Sequence, residues 1–344
     1  MIVRGGLAVL GVVWLVGLAG AGGLTAVAVR PDGKAVAVGG ENRVVYLLDA
    51  GTLAVGKRFW VEARVTGLAY SADGARVLVE DETGLVRLLD AATGKEAARV
   101  AGVSRMAVSR RAGLVAVRAP DTADGAALRL LSLADLSDKG RVALPEGPSA
   151  YAFDAEGKRL VVLGKGVAGD EPRVPFADAP ANLRGLARLA YQQRHDGYVA
   201  HLRTFDVASG KLLRQQKLWY TSDSPSTLLA PSGDGVRVCN LGNVCARVAA
   251  DGTVTLFQTD VRINYALGAS ADGKHLLAGS VGEGTAGPPA GRRVRFELPA
   301  LPGRSEVLNG FAVRPGGATW GVTSAFRVFQ VGADGKLGKT AAVY

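Results

Sequence analysis

Few residues in this 344-residue chain are of types that do chemistry, and their spacing decides what they can do. Its two cysteines, Cys239 and Cys245, flank Leu241-Gly242-Asn243. If that tripeptide is a hairpin turn, the cysteines face each other across adjacent strands, within reach of a disulfide. A disulfide is the expected state and two buried thiols the alternative; metal or redox work is the weakest of the three readings. Three histidines are present, His195, His201 and His275. His195 and His201 share a face if both stand on one strand, but two ligands without a third do not make a zinc site. Asp170 and Asp196 nearby read as solvated loop acids.

Motifs for bound cofactors fail in context. Gly282 to Gly287 fits G-x-G-x-x-G literally, yet Pro288-Pro289 stands where a helix N-terminus would have to receive the phosphate, so the stretch reads as a flexible loop. Gly338-Lys339-Thr340 ends like a phosphate-binding loop, but Gly332 is one residue too distant and no helix follows. No G-x-S-x-G elbow occurs, which excludes an α/β-hydrolase. The aspartates Asp32, Asp73, Asp234 and Asp272 tempt a search for paired carboxylates, but they occupy one repeated position and read as turn formers. No cofactor, metal or catalytic residue is expected.

The elements that position these residues come from a repeat. Residues 65–100 are its clearest copy: V-T-G-L-A-Y, S-A-D-G, A-R-V-L-V-E, D-E-T-G, L-V-R-L-L-D, A-A-T-G-K, E-A-A-R-V. Four apolar segments of five or six residues, too short for helices and rich in Val and Leu, read as strands. Asp73-Gly74 and Thr93-Gly94 supply the positive φ that short antiparallel connections need. Further copies begin at Leu24 and near Val103, Ser149 and Ser226; a sixth carries Ser270 to Lys274, and a seventh runs from Asn309 to Tyr344. Seven four-stranded units of about 46 residues each suit a β-propeller, in which every small sheet covers its neighbours' apolar faces. The fold expected is all-β: a seven-bladed propeller of four-stranded antiparallel sheets over residues 24–344. The first copy starts on its innermost strand and the last ends on its outermost, so the ring is expected to close without a shared blade.

The strand-one phrase ending in P-D-G-K or A-D-G-K, and L-D-A-A-T-G-K after strand three, resemble WD40 and related YVTN-type repeats over nearly all of the chain after residue 23. L-D-A-A-T-G-K is also similar to quinoprotein-type repeats, themselves propellers. The resemblance implies the fold and names no function. The chain departs from the WD40 pattern in having no Trp-Asp at the end of strand three and no Gly-His before strand one, so that family's hydrogen-bond network is not carried over.

Loop lengths point to a binding face. Links between strands one and two, and between strands three and four, read as short. Links between strands two and three vary, at about eight residues in blade three (Ala119 to Ala126), about fourteen in blade six (Gly279 to Arg292) and about thirty-five in blade four (residues 164–198). These links share one face of the disc with the blade-to-blade connections, and long loops on a rigid scaffold are where binding resides. Within the blade-four insert, Leu183, Leu186, Leu189 and Ala190 fall at helical spacing, which predicts a short helix over 181–194 with Asp178 as its cap and Pro180 in its first turn. Arg184, Arg188, Tyr191 and Arg194, together with Trp219 and Tyr220 in the connection leaving the blade, are the candidate partner-binding residues. Burial of the Leu stripe on the propeller, and of Trp219 between blades, is the competing reading.

At 48% hydrophobic and 21% charged residues the chain can build a core and is not a disordered one. The formal charge of +10 is spread along its length, with no basic run longer than pairs such as Arg110-Arg111 and Arg292-Arg293. That dispersal reads as a solubility feature, and a nucleic-acid partner is not expected. Residues 1–23 carry Arg4, an apolar stretch from Leu7 to Leu18 and Ala19-Gly20-Ala21, the pattern of a secretory signal peptide cleaved before Gly22. An uncleaved anchor over residues 5–23 is the alternative and the only route to a membrane. The expectation is an exported, periplasmic or extracellular, non-catalytic scaffold for a protein partner or small ligand. The alternative is a lactonase-like or quinoprotein enzyme with its site in the central channel. The innermost strands, such as Ala26 to Val29, Gly67 to Tyr70 and Met106 to Ser109, are nearly bare of catalytic side chains.

Overall fold

The computed structural model describes residues 22–122, 125–164, 167–168, 188, 198–218, 228–232, 235–239, 244–261, 263–270, 274–288, 292–314 and 316–343. All but Gly22 and Gly23 of the expected signal or anchor segment, residues 1–23, and most of the blade-four insert lie outside the described residues.

Apolar segments cut by turn residues form seven consecutive antiparallel sheets. Blade one comprises β1 (Leu24–Val29), β2 (Ala35–Gly40), β3 (Val44–Asp49) and β4 (Val55–Trp60). Blade two comprises β5 (Val65–Tyr70), β6 (Arg76–Asp81), β7 (Leu85–Asp90) and β8 (Glu96–Ala101). Blade three has β9 (Ser104–Ser109), β10 (Leu114–Arg118), β11 (Ala126–Ser132) and β12 (Asp138–Leu144). Blade four has β13 (Pro148–Phe153), β14 (Arg159–Gly164), the short β15 (Val167–Ala168), β16 (Tyr198–Asp206) and β17 (Leu212–Leu218). Blade five has β18 (Leu228–Ser232), β19 (Gly235–Cys239), β20 (Val244–Val248) and β21 (Val254–Gln258). Blade six has β22 (Ala266–Ala269), β23 (Leu276–Gly279), β24 (Glu283–Gly287) and β25 (Val294–Glu297). Blade seven has β26 (Leu308–Val313), β27 (Thr319–Thr323), β28 (Arg327–Val331) and β29 (Leu337–Ala342).

The first strand of every blade packs against the first strand of the next, and β26 returns to β1, so seven inner strands encircle one axis. The second and third strands are covered on both faces and read as near-continuous apolar runs: β6 and β7 are buried apart from their ends. The fourth strand faces water on one side, and β8 alternates half-buried with exposed. Each core cluster joins two neighbouring blades: Ala37 and Leu47 of blade one meet Tyr70 and Val79 of blade two, and Ala116 and Leu130 of blade three meet Phe153 and Leu160 of blade four. No blade covers its own apolar faces, and the ring does.

The ring closes as expected, with every blade built from consecutive strands and none shared between the chain's two ends. A common core joins blades one and seven, in which Leu24, Val36 and Leu48 pack with Trp320, Val322 and Val343. Side chains of blade seven then bond to the backbone of blade one. Asn309 Nδ2 donates to Leu24 O at 2.8 Å, Trp320 Nε1 to Ala50 O at 3.1 Å and Lys339 Nζ to Gly51 O at 2.9 Å. Gly23 (φ 117°) enters this seam against the Ser324 backbone, where a Cβ would collide at 2.4 Å.

Blade six corrects one expectation. The literal G-x-G-x-x-G segment is largely the third strand, β24, with Gly279 opposite Gly284 and Leu276 opposite Gly287. The strand was illegible because Gly284 and Gly287 leave no apolar alternation. A Cβ on Gly284 would sit 2.5 Å from the Phe296 ring, so the bare backbone is what Phe296 covers. The link from strand two to strand three is therefore only 280–282. The longer link of this blade, 288–293, joins strands three and four on the opposite face.

Candidate functional site: the insert-bearing face and the channel

Blade four bears the principal decoration of the face formed by the strand-two-to-three links. β14 pairs with β16 up to Leu163 and Leu202. β16 then runs on past the sheet, and β15 pairs with that overhang, Val167 opposite Val199 and Ala168 opposite Tyr198. The insert is thus mounted on a two-stranded stem that continues the blade outward. Of the predicted partner-binding residues, Arg188 is described and exposed. Arg184, Tyr191, Arg194, Trp219 and Tyr220, the predicted helix over 181–194, and His195, Asp170 and Asp196 lie outside the described residues.

At the same end of neighbouring blade five, Cys239 and Cys245 are opposite each other in register, with Cα atoms 4.3 Å apart, and form a disulfide. Both are buried. The bridge pins the strands flanking link 240–243, beside the insert's root.

Three acids among the described residues of this face are engaged by the fold. Glu62, in the connection from blade one to blade two, pairs with Arg87 of β7 at 2.7 Å. Glu146, in the connection from blade three to blade four, pairs with Arg203 of β16 at 2.6 Å. Glu306, before blade seven, takes Arg327 Nε of β28 at 2.8 Å. The same tie in three blades, from a blade-entry acid to a third-strand arginine, is architecture. It fixes each connection to the sheet it enters, in a chain lacking the Trp-Asp signature. Arg87 also holds the fully buried carboxylate of Asp81 at 2.7 Å. His201 Nδ1 lies 4.0 Å from Glu146, while His275 packs beside Gly317 in a different part of the ring, so the described histidines do not converge.

Glu80 and Tyr151, near the inner strands, are spent in the same way. The Glu80 carboxylate accepts the backbone N–H groups of Arg105 and of Met106, the latter at 3.0 Å, and so holds Arg105 at φ 53° where β9 begins. Burial pushes the Glu80 carboxyl above its usual range despite those bonds. Tyr151 donates to Ser104 O at 3.0 Å, and burial drives its phenol upward. Tyr70 packs between blades one and two, and burial raises its phenol to about 12, far from any acid–base role near neutrality.

The turn aspartates behave as expected on the opposite face. Asp32 Oδ1 accepts Lys34 N at 2.9 Å and Asp73 Oδ1 accepts Ala75 N at 3.0 Å. At strand-three ends, Asp49, Asp90 and Asp206 take both the N–H and the hydroxyl of Thr52, Thr93 and Ser209. These bonds hold the carboxyls below their ordinary range. Asp234 and Asp272 lie outside the described residues.

Sequence reasoning missed Arg110. It belongs to the basic pair credited to solubility, yet its guanidinium donates to the last backbone carbonyls of two other inner strands. The available signal was a broken repeat: Arg110-Arg111 stands in blade three where blade two has Ala72-Asp73.

No protein-family model matches the chain, and no curated protein is similar to it. Among solved structures, a chain of hydrazine synthase from Kuenenia stuttgartiensis superposes with a TM-score of 0.61 at 14% identity, over 93% of this chain and 96% of that one. At that identity the likeness is one of fold. It supports the ring of blades and carries no activity across.

Proposed function

We propose that this protein is a non-catalytic binding scaffold of the cell envelope or exterior, a degenerate WD40-like propeller that engages its partner on the face bearing the blade-four insert. One observation carries the reading: β16 overruns its blade to make, with β15, a stem for about thirty further residues on that face. A rigid ring that extends its own strand pairing in this way fixes the two points, Ala168 and Tyr198, from which the insert leaves the blade. The employment of Glu80, Tyr151 and the turn aspartates in backbone bonds favours binding over acid–base catalysis. The Cys239–Cys245 disulfide supports export, since such bonds persist in oxidising compartments.

The test places a photo-crosslinking residue at Arg188, in the insert, or at Glu156, in a turn of the opposite face, with the full chain expressed in its own cells. Partner adducts are expected from position 188 and not from 156. Adducts confined to 156, or complete loss of the 188 adducts to an untagged competitor that lacks residues 169–197, would overturn the assignment of the face. For export, N-terminal sequencing of secreted or periplasmic material should begin at Gly22; Met1 retained on protein in the membrane fraction would establish the anchor instead.

A further inference from the structure

The outer strand of each blade ends its sheet, so the rim of the ring presents seven strand edges. The N–H and C=O groups along such edges invite pairing with another chain, and charged side chains on them oppose it. Six of the seven outer strands carry at least one Lys or Arg, as β4 does with Lys57 and Arg58 and β17 with Arg214 and Lys217. The seventh, β21 of blade five, reads Val254-Thr255-Leu256-Phe257-Gln258 and carries no charge. Four of its five residues are of the β-branched, aromatic or aliphatic types that sit well on a strand. Val254 is 40% exposed, and Thr255 is exposed beside it.

The pairing of β21 with β20 fixes which backbone groups look outward. Ala249 N donates to Thr253 O at 3.0 Å, and the same register sets Arg247 opposite Thr255 and Cys245 opposite Phe257. The backbone groups of Thr255 and Phe257 therefore turn inward to β20, and those of Val254 and Leu256 turn outward. At the end of the strand, Arg293 of blade six donates to Gln258 O. The rungs that β21 offers to another strand are those of Val254 and Leu256.

We infer that two copies of this chain associate through β21, antiparallel about a two-fold axis, joining two four-stranded blades into one continuous sheet. The axis passes at Thr255. In that register Val254 of each copy lies opposite Leu256 of the other, the outward rungs exchange their backbone bonds, and Gln258 O stays with Arg293. Thr255 then faces its own counterpart, a pair that suits adjacent strands. A second copy is the occupant this edge fits, because the same uncharged strand meets no like charge across the seam. Self-pairing of β4 or β17, whose only charges are cations, would set cation against cation. The contact belongs to the small class of interfaces, so the association is a concentration-dependent one. It uses the outer rim and not the β15–β16 stem, so its failure and the failure of the partner assignment are distinguishable.

Sedimentation equilibrium of the full chain, purified as its own cells produce it and loaded from about 1 to about 200 µM, reads the association. The mass is expected to rise from one chain toward two, with a dissociation constant on the order of 10–100 µM. Hydrogen exchange across residues 254–256 should slow over the same range. Thr255→Lys sets two ammonium groups opposite each other at the axis and should raise the dissociation constant at least about tenfold. Thr255→Glu should do the same, and an equimolar mixture of the two variants should restore the dimer. Ala97→Lys, at an exposed position of β8, adds the same charge elsewhere and should leave the association unchanged. Urea midpoints establish that each variant is folded. A single-chain mass over the whole range, association that Thr255→Lys leaves intact, or a mixture no better than either variant alone would overturn the inference. Protection of 254–256 that appears only when cell extract is added would give the edge to a foreign strand, and would overturn it too.

Discussion

The seam between blades one and seven is where this ring can be opened, and Trp320 is the residue to open it with. Its side chain is buried in the core shared by the two blades, and its indole N–H reaches Ala50 O at 3.1 Å. Trp320→Ala removes a large buried ring from a cluster that cannot fully collapse, which costs about 3–5 kcal/mol. Trp320→Phe keeps most of the ring and loses the bond. Ala50 O still accepts from Gln330, so no orphan acceptor is left, and the cost falls to about 1–2 kcal/mol. Trp60 is the internal control: it is 69% exposed on β4, and its replacement by Ala should change stability by no more than about 0.5 kcal/mol. Urea unfolding followed by far-UV circular dichroism reads all three, with the midpoint ordered Trp60→Ala, Trp320→Phe, Trp320→Ala from highest to lowest. If Trp320→Ala unfolds at the same midpoint as Trp60→Ala, the closure described here is not what holds the ring.

Three other outcomes follow from the same geometry. The turn carboxyls of Asp49, Asp90 and Asp206 are lowered by the N–H and hydroxyl groups they accept, and that of Asp135 falls to about 2. Their folded values lie below the unfolded value of about 4, so their stabilisation is complete above it and is lost as the pH falls toward 2; melting midpoints across that window should drop, and less steeply in Asp135→Asn. Opening the Cys239–Cys245 bridge, by reduction or as the double serine variant, should cost about 2.4 kcal/mol for a closed loop of about seven residues, read as an equal shift in both preparations. Arg87→Met takes the cation from the buried Asp81 carboxylate and should cost about 3–5 kcal/mol in urea unfolding, whereas Arg99→Ala, an exposed arginine of the same blade, should cost no more than about 0.5 kcal/mol.

Wherever each strand carries its own apolar signal, the architecture was legible. The phrases at Leu24, Val65 and Ser149 begin on or beside observed strands, and Asp73-Gly74 turns where its residue types require, with Gly74 at φ 71°. The cysteine pair was legible for a similar reason, since a short turn leaves two strand residues little choice but to face each other. β24 escaped because its small residues are defined by what lies over them, Phe296, and not by their own hydrophobicity. Arg110 escaped because a basic pair in a turn looks like any solvated pair until the chain has closed.

The alternation of apolar segments with Gly, Asp and Ser turns, repeated seven times, by itself determined that small antiparallel sheets must form and must cover one another, because each sheet has more apolar face than it can bury alone. Only the tertiary structure decided how the ring closes and which distant carbonyls the Arg110 guanidinium reaches. Both depend on residues that sequence keeps far apart. Trp320 meets Ala50 across the seam, and the Arg110 fork meets Tyr70 and Val29 at the channel mouth. A local pattern carries no term for such contacts, since they exist only once seven blades share one axis.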